Sequence, residues 1–155
     1  MNDSKQVTIT VSSEIPFAKE HVWNVLTSPE TLAVWLGASR FEAKQGGRVL
    51  FDILYNKYRY IAFGNVTSMD EAATIVFSYR ELEVHTDTLW KQPTTVTISF
   101  EDKGDSTGVT LTHEGLGELG FDDEYTSLLI QGYSDAWKML ADFDRLKEIC
   151  AIRPD

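Results

Sequence analysis

The side chains able to do chemistry are few and scattered along the chain. Three histidines (His21, His85, His113) and one cysteine (Cys150) have no spacing that assembles a metal site. No Gly-x-Ser-x-Gly elbow offers a nucleophilic serine. Cys150 has no activating neighbours and reads as a packed or frayed helix-end residue. Gly115-Leu116-Gly117-Glu118-Leu119-Gly120 matches G-x-G-x-x-G. That fingerprint needs a βαβ unit, and no strand follows the helix after it. Glu118, Asp122 and Asp123 would also face phosphates with like charge, so the segment reads as a strand-to-helix connection. His113 remains. It alternates with Val109 and Leu111, so it points inward, either as a core histidine bonded to a neighbour or as a ligand-contacting or acid–base group.

The aromatic residues say more. They make up 12% of the chain: four Trp, six Tyr and eight Phe. Trp23, Trp35, Phe41, Phe51, Tyr60, Trp90, Phe100, Tyr133 and Trp137 fall on or beside expected inward faces. Two readings follow: a well-filled core, or an apolar pocket in which Tyr60, His113 and Tyr133 are the few polar groups orienting a small molecule. Gly64 and Gly132, small and expected inward, would leave room for the second.

The elements that must position these groups are legible as periodicities. Gln6–Ile15 alternates apolar and polar, which predicts a half-buried strand. Pro16 stops it, and Ala18–Leu26 has helical spacing. Ser28-Pro29-Glu30 opens a second short helix with a hydroxyl cap and a proline at the first position. Gly37 ends it. Arg40–Ala43, Arg48–Ile53, Tyr58–Ser68, Thr74–Tyr79, Thr94–Glu101 and Thr107–Glu114 read as strands joined by short turns, hence mainly antiparallel. With the first they make about seven. Tyr125–Cys150 reads as one long helix, with Tyr125, Leu129, Gly132, Ala136, Leu140 and Phe143 on a stripe and Pro154 beyond its end. The fold class is α+β: residues 1–155 form a single domain in which a curved antiparallel sheet grips a C-terminal helix.

One set of residues fits neither pocket nor core. Ile61, Phe63, Ile75, Phe77 and Tyr79 are assigned to the face opposite Tyr60, Gly64 and Val76. Strands apolar on both faces need cover on both, so this outer face is expected to pair two copies of the chain as a homodimer.

Composition excludes other partners. Lys and Arg number 14 against 24 Asp and Glu, a net charge of −10. Such a field repels phosphate backbones and anionic lipid, which argues against nucleic acid and membrane partners. No stretch approaches the ~20 apolar residues of a membrane span, and the polar start MNDSKQ lacks a signal-peptide core. The expectation is a cytoplasmic protein with no cofactor and no bound metal.

The element order carries a family resemblance. Ile15-Pro16, Val22-Trp23 and Thr27-Ser28-Pro29-Glu30 before Trp35-Leu36 resemble the START/SRPBCC superfamily (birch-pollen-allergen-like). Within it they resemble the branch homologous to the activator of heat-shock protein 90 ATPase. The same branch shows Gly46-Gly47 before a strand ending in Phe51, Gly64-Asn65-Val66, Thr94 to Phe100 as Thr-x-Val-x-Ile-x-Phe, and Thr107 to His113 as Thr-x-Val-Thr-Leu-Thr-His. Where that branch has Gly-Trp in the last helix, this chain has Gly132-Tyr133. The resemblance implies a helix-grip domain. With the aromatic pattern, it leads to a binding protein for a small hydrophobic or aromatic ligand held by Trp23, Phe41, Phe51, Tyr60, Phe100, His113, Tyr133 and Trp137. The branch name implies an alternative, a co-chaperone acting through its surface on a heat-shock ATPase. A third reading is a cavity enzyme using His113 as acid or base.

Overall fold

Alternation, two prolines and a run of tight turns account for the architecture of the computed structural model, which describes residues 8–153. Gln6 and Val7, expected to open the first strand, and Pro154, expected past the last helix, lie outside the described residues. Strand β1 (Ile9–Ile15) buries Ile9 and Ile15 while Thr10, Ser12 and Glu14 face water. Helix α1 (Lys19–Leu26) follows and buries Val22, Trp23, Val25 and Leu26. The Ser28 hydroxyl accepts from the Thr31 amide at the start of α2 (Pro29–Thr31), which runs into a widened π turn over Leu32–Leu36. Gly37, at φ 77°, ends that turn in the left-handed region, as its position predicts.

Among the described residues the sheet has eight antiparallel strands: β1, β2 (Arg40–Phe41), β3 (Arg48–Tyr55), β4 (Tyr58–Asp70), β5 (Thr74–Glu83), β6 (Thr88–Leu89), β7 (Thr94–Asp102) and β8 (Thr107–Glu114). Their order is β1-β8-β7-β5-β4-β3-β2, with β6 paired to β5. The Gly115–Gly120 segment makes one 3-10 turn and delivers the chain to α3 (Asp123–Leu140), whose first turn Asp122 caps by accepting from the Tyr125 amide at 2.8 Å. Helix α4 (Phe143–Ile152) completes the fold. The long C-terminal helical region is therefore interrupted once. Asp142 caps a new helix through the Arg145 amide, and its own amide donates to the Trp35 carbonyl at 2.7 Å. Further along, His21 Nε2 donates to the Cys150 carbonyl at 2.8 Å and ties α1 to α4. Cys150 is buried, so it is a packing residue. None of the helices among the described residues is long and apolar enough to cross a membrane.

Strand register corrects the expected outer face. Val66 stands opposite Phe77, and Ala62 opposite Glu81. Residues directly paired share a face, so over Tyr60–Val66 the even-numbered positions of β4 go with odd-numbered positions of β5. Ile75, Phe77 and Tyr79 consequently face the helix and are fully buried. Ile61 and Phe63 face away from it, opposite Leu82 and Arg80, and Phe63 is 39% exposed. The five residues expected to form one interface thus lie on two sides of the sheet. Alternation within each strand holds, and next to the turn odd positions do pair with odd ones, Met69 with Ile75. The bulge between Val66 and Ser68 then shifts the register by one residue and turns Ile61 and Phe63 to the other face.

Gly64 is a second correction. A Cβ there would lie 1.8 Å from the Ser78 carbonyl oxygen. The glycine exists because two strands approach closely near the β4 bulge between Val66 and Ser68, and it opens no room for a ligand.

Candidate functional site

Strand β5 runs four residues past its expected end at Tyr79, and that extension makes the site. Glu81 continues the inward phase of Ile75, Phe77 and Tyr79 and is 5% exposed. It forms the polar wall of a pocket of about 210 Å³ between the sheet and α3. The sheet contributes Ile53, Tyr55, Tyr60 and Glu81. Helix α3 contributes Tyr125, Leu128, Leu129, Gly132, Tyr133 and Ala136, mostly one stripe at helical spacing. A Cβ on Gly132 would meet no atom within 4 Å beyond its neighbours and its own helix backbone, so this glycine does keep space open. An apolar cavity near 150 Å³ accepts a benzene-sized ring, and the volume here admits a ring with a short substituent.

The polar groups form two chains. In the first, the Tyr133 hydroxyl donates to the Glu81 carboxyl, and Tyr79 meets Tyr133 hydroxyl to hydroxyl at 2.9 Å. With the Tyr133 proton directed at Glu81, Tyr79 is the donor in the second bond. Burial holds the Glu81 carboxyl up at about 7, the Glu83 charge adding to it and the Tyr133 bond opposing. Burial likewise raises the Tyr133 and Tyr79 phenols well above their ordinary range. Tyr60 and Tyr125 are raised by burial and by the charges of Glu81 and Glu83.

The second chain lies behind the first. Thr94 Oγ1 donates to the Tyr79 carbonyl at 2.9 Å, so it must accept from His113 Nε2 at 2.7 Å. Trp137 Nε1, a donor only, then requires an acceptor at His113 Nδ1, 3.0 Å away. The three bonds together assign a neutral imidazole protonated on Nε2. Burial pushes its basicity down, to about 3. Neither ring nitrogen is left for a ligand, and His113 does not line the pocket.

The eight residues expected to bind ligand therefore separate into three groups. Tyr60 and Tyr133 line the pocket. Phe51, His113 and Trp137 pack behind it in a continuous aromatic cluster, with Phe51 and Trp137 edge to face at 5.8 Å and His113 and Tyr133 at 5.2 Å. Trp23 packs on Phe100 at 5.1 Å and Phe41 on Phe77 at 5.2 Å, elsewhere in the core. Glu81, Ile53 and Tyr55 were not anticipated. Glu81 did carry a signal: it is a carboxylate in phase with three apolar inward positions.

Comparison with known proteins fits this geometry. The family described as activator of Hsp90 ATPase homolog 1-like protein matches residues 16–149. The chain belongs to that family. That family places it in the START/SRPBCC superfamily, and solved structures share its helix-grip fold. Protein Ms6760 from Mycobacterium smegmatis is similar with a TM-score of 0.72 at 14% identity, over 100% of this chain and 97% of that one. A protein from Arthrobacter aurescens gives 0.70 at 12% identity, over 100% and 92%. Protein MLL2253 from Mesorhizobium loti gives 0.69 at 17% identity, over 96% and 100%. At these identities the likeness concerns the fold. No curated protein matches the chain.

Proposed function

We propose that this family member binds a small, largely apolar ligand in the pocket between β3–β5 and α3. The observation that carries the reading is the pocket itself: about 210 Å³, lined chiefly by aromatic and aliphatic side chains, with one buried carboxyl on its wall. A concave apolar site with few polar groups is the usual form of a small-molecule site. Gly132 supports it, because glycine inside a helix costs about 1 kcal/mol relative to alanine and this one keeps the volume free.

Thermal shift across a library of single-ring and short aliphatic compounds tests the proposal. The expected result is a raised Tm with some members in the native protein and none in Gly132→Phe, whose ring fills the pocket. No shift for the native protein across the library would overturn it. The family description favours a second reading, action on a heat-shock ATPase through the surface. ATPase stimulation that survives Gly132→Phe would support that reading, since the variant changes only the pocket.

A further inference from the structure

We infer that the pocket takes an organic ammonium ion with a body about one ring in size, its cation seated between the Glu81 carboxyl and the surrounding tyrosines. This rests on the pocket reading above and narrows it to a ligand class.

The argument starts from charge. Among the described residues the Glu81 carboxyl receives one hydrogen bond, from Tyr133, and makes no ion pair. The nearby cations are engaged on the other face of the sheet. Arg59 forks onto Asp52 at 3.0 and 2.6 Å, and Arg80 donates to the Trp90 carbonyl at 2.6 Å. The titratable groups around Glu81 can be taken element by element. Strand β3 brings Tyr55, β4 brings Tyr60, β5 brings Tyr79 and Glu83, and α3 brings Tyr125 and Tyr133. Every one is a phenol or a further carboxylate. A buried carboxyl with no cation beside it is an unusual arrangement, because the charged form pays heavily for lost water unless something compensates.

The ring chemistry points the same way. Tyr55, Tyr60, Tyr125 and Tyr133 all line the pocket. Aromatic faces carry negative potential and attract an ammonium within about 6 Å, more strongly when it is desolvated. A carboxyl among several such rings suits an organic cation. An anionic ligand would meet the Glu81 carboxyl, with the charge of Glu83 close by, and a neutral ligand would leave the field unanswered. The aliphatic part of the lining, Ile53, Leu128, Leu129 and Ala136, is left for the apolar body.

Proton linkage supplies an independent readout. Glu81 titrates near pH 7 in the unliganded protein. An adjacent ammonium favours the carboxylate, so binding below that pH expels a proton, and affinity must rise as the pH increases through 7.

Calorimetric titration of the full chain with 2-phenylethylammonium, 2-phenylethanol and phenylacetate, at pH 6 and pH 8, decides the matter. The first probe stays cationic throughout, as a lysine would. At pH 8 the ammonium is expected to bind at least about tenfold tighter than the alcohol, with phenylacetate weakest. Its lead over the alcohol should shrink by up to about tenfold at pH 6 and vanish in Glu81→Gln. An alcohol or carboxylate that matches the ammonium in the native protein overturns the inference and leaves the pocket reading standing. So does a preference that survives in Glu81→Gln. If none of the three binds, both fall. Should Glu81→Gln fail to fold by circular dichroism, the native protein alone decides: an ammonium-to-alcohol ratio unchanged between pH 6 and pH 8 overturns the inference.

Discussion

Trp137 donates its indole proton to Nδ1 of His113 at 3.0 Å, and with Thr94 on the other nitrogen this fixes one tautomer of a fully buried ring. Such a histidine stabilises the fold only while neutral. Its basicity in the fold lies near 3, against an ordinary value of 6.5. Between those two values the unfolded chain binds the extra proton, so stability falls as pH drops from about 6.5 towards 3, by up to ~1.4 kcal/mol per pH unit. Nitrogen-15 NMR of the imidazole should show the neutral Nε2–H form unchanged from pH 8 to about 5. A ring that titrates near 6.5 would contradict the bonding scheme.

Glu81 has the opposite sign. Its carboxyl titrates near 7 in the fold against 4.5 ordinarily, so the folded protein holds the extra proton between those values. The stability it contributes is complete below about pH 4.5 and is lost as pH rises through 7, a few kcal/mol in all by order of magnitude. Urea unfolding at pH 5 and pH 8 checks this. Glu81→Gln should lose less stability than the native protein on going from the lower pH to the higher.

The two inward glycines should respond oppositely to alanine. Gly132→Ala meets no neighbour and gains helix propensity, so it should stabilise by about 0.5–1 kcal/mol. Gly64→Ala drives a methyl group into the Ser78 carbonyl and should destabilise by several kcal/mol, a size reserved for backbone clashes and lost cores. Thermal melts of the pair suffice.

Trp35 and Trp137 are both fully buried, but the indole nitrogen of Trp35 has no hydrogen-bond partner among the described residues, whereas that of Trp137 serves His113. Replacing each with Phe removes similar ring area. Trp137→Phe also strands the His113 acceptor and should cost roughly 1–2 kcal/mol more than Trp35→Phe in chemical denaturation. Equal losses would remove the case for the Trp137–His113 bond.

How far the sequence could be read is clear from these residues. The strands, their antiparallel order, the capped short helices and the α3 stripe all follow from local alternation, prolines and glycines, which one chain displays by itself. So does the inward direction of His113, but not the choice between a core ring and a ligand-contacting or acid–base group, because its bonding partners, Thr94 and Trp137, come from separate elements. The register of β4 against β5 depends on the bulge between Val66 and Ser68, which shifts the pairing by one residue, and no period within a strand encodes that. The site suffered from the same gap. Tyr60 and Tyr133 were legible as inward polar residues, but a strand expected to stop at Tyr79 hid Glu81. The long inner wall of the sheet also gave no sign of where packed core ends and pocket begins, so Trp23, Phe41 and Phe100 were assigned to a cavity they do not reach.

The pairing of β1 with β8 has a bearing on how the molecule comes into being. Ile9 lies opposite His113, and among the described residues β8 is the sole neighbour of β1 in the sheet. This strand therefore has no partner until β8, which starts about ninety positions beyond its end, has been made. For all that time its unpaired edge is open to other chains, and such distant pairing is slow to form. Assembly of the sheet must wait for β8, and α3, which walls the pocket, is made later still. Binding competence in the nascent chain should thus appear abruptly, only once α3 has been made.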